Sequence, residues 1–109
     1  MIIFSYICKE KIMKVQKQKL EKAAYILKTI AHPTRLAVIQ LLDKKGKMGV
    51  NDICRSLECE QSLVSHHLSN MRIKGLLKSE REGTSIFYSL KEKELLKIIE
   101  AIEKCDCNM

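Results

Sequence analysis

The sequence predicts a mainly α-helical fold carrying one small β-hairpin, and three observations predict it. One Pro and four Gly among 109 residues leave little room for the many tight turns of a sheet-rich protein. Apolar residues recur at helical spacing in every segment but one. In that one segment, just after Gly75, the pattern changes to runs with β-branched and aromatic residues on either side of a Gly.

The elements follow in order. Leu20, Ala23, Ala24, Leu27, Ile30 and Ala31 mark one face of a first helix, with lysines on the other. His32-Pro33 breaks it, and Pro33 suits the first turn of a second helix running to about Leu42, where a missing N–H leaves no bond unmade. That second helix is apolar nearly all round (Leu36, Ala37, Val38, Ile39, Leu41, Leu42), so it belongs at the centre. Lys44 to Lys47 reads as a loop. Val50, Ile53, Cys54 and Leu57 predict a two-turn helix, and Leu63, Val64, His67, Leu68 and Met71 predict another, capped at its C-terminus by Gly75. Two short helices joined by three or four residues read as helix-turn-helix. Residues 76–81 and 85–90 then form a hairpin about Glu82-Gly83-Thr84, and Leu95, Ile98, Ile99 and Ile102 begin a last helix reaching Cys105.

Composition narrows the function. The chain is one domain long, and 46% apolar with 30% charged residues fits a globular protein rather than a disordered or fibrous one. Aromatics are 5%, so the core rests on aliphatic side chains. The apolar start, Met1 to Phe4, is far short of the ~20 residues a membrane span needs, and its lysines follow it rather than precede it. A cytoplasmic protein is therefore expected, with no membrane partner. Residues 1–14 read as an N-terminal arm, either flexible or a translated extension ahead of a start at Met13, and residues 15–109 as the functional domain. Twenty Lys+Arg against thirteen Asp+Glu give a net charge of +7, which favours a polyanionic partner.

The second helix of the pair supplies the chemistry. Ser62, Ser65, His66, Ser69 and Arg72 lie opposite Val64, His67, Leu68 and Met71, and Gln61 stands at the helix start. Short hydroxyls, an amide and an imidazole let a backbone approach base edges in a major groove, whereas an ordinary solvated face carries Glu and Lys. His67 falls on the apolar side and reads as a core histidine with its hydrogen bonds satisfied. Arg81 and Thr84 on the hairpin, with Lys74 and Lys78 near the helix end, suit phosphate contacts. Together these features point to double-stranded DNA.

Three stretches carry a family resemblance: Leu27 to Leu36 with its His32-Pro33-Thr34-Arg35-Leu36, Gln61 to Leu68 with its Val64-Ser65-His66-His67-Leu68, and Arg81 through Tyr88. Across residues 20–103 the chain resembles the ArsR/SmtB winged-helix repressors. The resemblance implies a homodimer paired through its first and last helices. It also implies operator binding near a promoter, and release by a metal, a metalloid or a thiol oxidant. Base-reading positions would be Gln61, Ser62, Ser65 and His66, and the wing contact Arg81. Glu60 departs from the pattern, standing where the family has Ser or Thr. A dimer also follows from the residues, because the apolar stripes on 20–31 and 95–105 exceed what so small a core can cover. Recognition helices ~34 Å apart then predict a palindromic operator.

The effector is less determined. The family's thiolate pair would fall at Gly49 and Asn51, neither of which is a ligand. Its site on the last helix would fall at Glu92, Glu94, Cys105 and Asn108, which lacks the imidazoles zinc favours. Cys54 and Cys59 occupy apolar positions where a small hydrophobe serves. Cys105-Asp106-Cys107 offers two thiols to a soft ion or an oxidant, with Cys8 of the partner subunit as a third ligand; incidental cysteines in a frayed tail are the alternative. No cofactor is required. The same dimer without any small effector, and a small thiol enzyme, are the other readings. The enzyme would need a nucleophile with an activating base, which neither the Cys105–Cys107 tail nor His66-His67 offers.

Overall fold

The computed structural model describes residues 11–105, with side chains from residue 16 onward. Cys107, Cys8 and residues 1–10 of the expected arm lie outside the described residues. The chain divides into two compact units, one ending at Ala31 and the other beginning at His32. The first contains helix α1 (Lys11–Ile30). This helix starts well before Leu20, so the arm-to-domain boundary expected at residue 14 falls inside it. Leu20, Tyr25 and Leu27 are exposed on it, and the Thr29 hydroxyl donates to the Tyr25 carbonyl at 2.8 Å.

The second unit holds α2 (Pro33–Lys45), β1 (Met48–Gly49), α3 (Val50–Leu57), α4 (Gln61–Ile73), β2 (Leu77–Glu82), β3 (Ser85–Leu90) and α5 (Glu94–Glu103). Helix α2 is central as expected: it touches α3, α4, α5 and β3, and Val38, Ile39 and Leu42 are buried along it. Pro33 occupies its first turn, and the His32 ring caps it, Nδ1 accepting the Thr34 N–H at 3.1 Å. The loop expected from Lys44 begins later. Lys44 and Lys45 continue the helix, since cations near a helix C-terminus are favourable, and Gly46 at φ +88 stops it.

Between α3 and α4 the turn opens with Glu58 in the left-handed region (φ 53, ψ 45), which costs a non-glycine residue about 1–2 kcal/mol. Gly75 ends α4 as expected. Its own N–H donates to the Arg72 carbonyl, and that of Leu76 to the Met71 carbonyl, the paired bonds of a left-handed C-terminal cap. Met48, Ile53, Val64, Leu68, Met71, Leu76, Leu77, Tyr88, Leu90, Leu95 and Ile99 complete the core of this unit among the described residues.

The hairpin is tighter than expected. Glu82 pairs with Ser85 inside the ladder, leaving Gly83-Thr84 as a two-residue turn with Gly83 at φ +67. A third strand was absent from the sequence reading: β1 pairs antiparallel with β3, giving the order β1-β3-β2.

Candidate nucleic-acid interface

Helix α4 sorts its residues by angle, each successive position turning 100°. Val64, His67, Leu68 and Met71 are buried, while Gln61, Ser62, His66 and Arg72 are exposed. Ser65 and Ser69, expected on the open face, are half-buried on it. Leu63 departs from the expected pattern. Grouped by sequence with the apolar face, it is 44% exposed, because its angle puts it at the edge of that face, between buried His67 and exposed His66. No acidic residue lies in the first turn of α4, and Glu60 ahead of it accepts through its carbonyl, not its carboxylate.

The helix is gripped from behind. Arg35 of α2 donates from Nε to His67 Nδ1 and from Nη1 to Asn70 Oδ1, both at 2.8 Å. The His32 ring lies 4.4 Å from that of His67, and the His66 ring 5.7 Å away. Because Nδ1 accepts, the proton of the neutral ring sits on Nε2, which is buried with no hydrogen-bond partner among the described residues. The expectation of a satisfied core histidine is thus half met, and an orphaned buried N–H costs about 1–3 kcal/mol. Burial, then the Arg35 cation and the neighbouring imidazoles, hold the His67 pKa below the ordinary 6.5. Sequence reasoning missed Arg35 and Asn70; position 70 was legible on the helical wheel, but its partner thirty-five residues away was not.

Arg81 and Thr84 are exposed on the wing, and Lys74 is half-buried at the end of α4. In the ladder Arg81 faces Ile86, while Glu80 and Glu82 project from the opposite side of β2. Lys47 pairs with Glu82 and stands 5.4 Å above the Phe87 ring. Its hydrogen bond to Glu82, and then that residue's charge, raise the Lys47 pKa. A cleft of about 390 Å³ opens between the starts of α3 and α4 and the wing, lined by Gln61, Thr84, Asn51 and Arg55 among others. Two positions assigned separately to helix and wing thus border one concavity.

Cys105 is exposed just beyond α5, and Cys54 and Cys59 are half-buried. Among the described residues no cluster of three or more His, Cys, Asp or Glu could hold a metal ion, and no helix is long and apolar enough to cross a membrane.

A helix-turn-helix with an exposed polar second helix, followed by a two-stranded wing on the same unit, defines a winged-helix DNA-binding protein. The chain belongs to the arsR family of bacterial regulatory proteins, whose pattern matches residues 32–79, and it is a DNA-binding transcriptional regulator. It is 37% identical over 87 residues to an HTH-type transcriptional regulator of Methanocaldococcus jannaschii, covering 80% of this chain and 98% of that one. It is 39% identical over 89 residues to the transcriptional repressor PagR of Bacillus anthracis, covering 82% and 89%. The crystal structure of PagR matches with a TM-score of 0.70 at 40% identity, over 79% of this chain and 98% of that one. The transcriptional activator HlyU of Vibrio cholerae is 33% identical over 87 residues, 79% of each chain.

Proposed function

We propose that the chain works in the cytoplasm as a homodimeric repressor of a palindromic operator, residues 15–109 forming the DNA-binding and dimerisation domain. Gln61, Ser62, Ser65 and His66 read base edges. Ser69, Arg72, Lys74, Arg81 and Thr84 hold sugar and phosphate, and no catalytic residue or required cofactor takes part. The observation that carries this reading is the open face of α4, where Ser62 and His66 stand exposed beside a wing that shares a cleft with Gln61. Exposed Leu63 suits the same surface, since the thymine methyl is the one apolar feature of the major groove.

Pairing through the first and last helices is supported by their uncovered apolar side chains, Leu20, Tyr25 and Leu27 on α1 and Ile102, 63% exposed, on α5. Release by a soft metal, metalloid or oxidant rests on exposed Cys105 and its neighbour in sequence Cys107, with Cys8 of the partner subunit as a further thiol. A shift assay on the chain's own promoter tests the whole reading. One band is expected, with two chains per duplex, and it is lost on adding arsenite, copper(I) or hydrogen peroxide. Binding by single chains would overturn the dimer. A band untouched by all three agents would leave a regulator without a thiol effector.

A further inference from the structure

We propose that Arg35 is a positioning residue for DNA readout: by gripping His67 and Asn70 together, its guanidinium sets the rotation of α4 about its own axis and so decides which side chains meet the bases. The inference rests on the reading of α4 as the base-contacting helix and adds residues that touch no base.

The grip has the geometry this requires. Arg35 stands in the first turn of the central, capped helix α2, so its root is fixed. His67 and Asn70 lie three positions apart on one flank of α4, and the guanidinium reaches both at 2.8 Å. Two anchors at different heights on one flank resist both rotation and sliding. The apolar contacts of Val64, Leu68 and Met71 hold the helix down without doing this, because burial has no direction. A planar fork spans two acceptors where a point charge serves one. The tilted His32 ring, 4.4 Å from that of His67, backs the imidazole.

The choice of residue carries the argument further. At a 4%-exposed core position, an imidazole whose Nε2 has no partner is worse for stability than an aliphatic side chain of similar size. What it contributes is Nδ1, the acceptor that Arg35 uses. The exposed His66 directly precedes it, one residue back along the helix. A readout geometry must be held within about 10–20°, so slack in the grip is felt at the bases.

The test takes a duplex selected from a randomised library by the full-length protein, and compares affinity for it with affinity for random duplex. Arg35→Lys keeps the charge but cannot span both acceptors. Its random-duplex affinity is expected to stay within about twofold, while affinity for the selected duplex falls about tenfold, the scale of one base contact. Asn70→Ala, at a half-buried position, is expected to lose preference in the same direction. His67→Leu separates positioning from structure. If His67 only filled the core, Leu would maintain both thermal stability and preference. Under this proposal the melting temperature holds or rises while the preference falls. Preference retained within twofold in Arg35→Lys and His67→Leu would overturn the grip and leave the readout helix standing. A wild-type protein with no preference for any duplex would remove both.

Discussion

Helix α4 and the wing belong to the same unit, yet they are built on opposite plans. The helix is held along its length, with four buried residues beneath it and a guanidinium clasping one flank, and its first turn carries no acid. The hairpin buries Leu77, Tyr88 and Leu90 and pairs along β3 with β1, and its outer strand carries Lys78, Glu80, Arg81 and Glu82 so that charge cancels. Lys47 neutralises Glu82 from outside the hairpin. A tightly held, acid-free helix suits discrimination, which depends on fixed donors and acceptors. An exposed outer strand of mixed charge suits a phosphate contact, which positions the protein without reading sequence. The wing is thus a weaker electrostatic arm than its Arg and Lys residues alone suggest.

The contrast can be broken by experiment, most forcefully at the helix. His66→Ala is expected to weaken binding to the operator by ~1–3 kcal/mol and to leave random duplex nearly unchanged, as equilibrium titrations would show. Equal losses on both would make the helix a backbone contact like the wing. A smaller effect concerns how the helix is held. Protonating His67 turns Nδ1 into a donor facing the Arg35 Nε–H, with Arg35, His32 and His66 as the charged or titratable groups around it. With the folded pKa below 6.5, the unfolded chain takes up this proton first. Stability is therefore full above about pH 6.5 and declines as pH falls through the folded value. Denaturant midpoints between pH 7.5 and 5 should fall more steeply for the wild type than for His67→Gln, and parallel curves would contradict this. The smallest effect lies on the wing. Arg81→Ala should weaken operator and random duplex alike and reduce the salt slope by about one phosphate per wing. A loss confined to the operator would promote the wing to a reader of sequence.

Much of this architecture was legible because it is local. The four helices of the second unit and the hairpin announce themselves through periodicity, and Gly75 and Gly83 mark a cap and a turn that need positive φ. The polar face of α4 follows from its wheel, whereas Leu63 sits at the boundary of the two faces, where the wheel does not decide its exposure. Other features depend on partners far along the chain. Two residues of β1 are too few to show a period, and their strand is defined by pairing with Tyr88 and Phe87. The Arg35 bonds to α4 and the Lys47–Glu82 pair span more than thirty positions. The Glu58 turn hides for another reason: no glycine advertises the left-handed backbone it adopts.

Strand β1 is short, but it leads into α3 without an intervening residue while hydrogen-bonding to the wing's inner strand. Through α3, against which α4 packs, reader and arm are therefore held at a set span, like the jaws of a caliper. A duplex whose groove is a poor match for that span must itself deform, so base pairs contacted by neither jaw contribute to the choice of site through their stiffness.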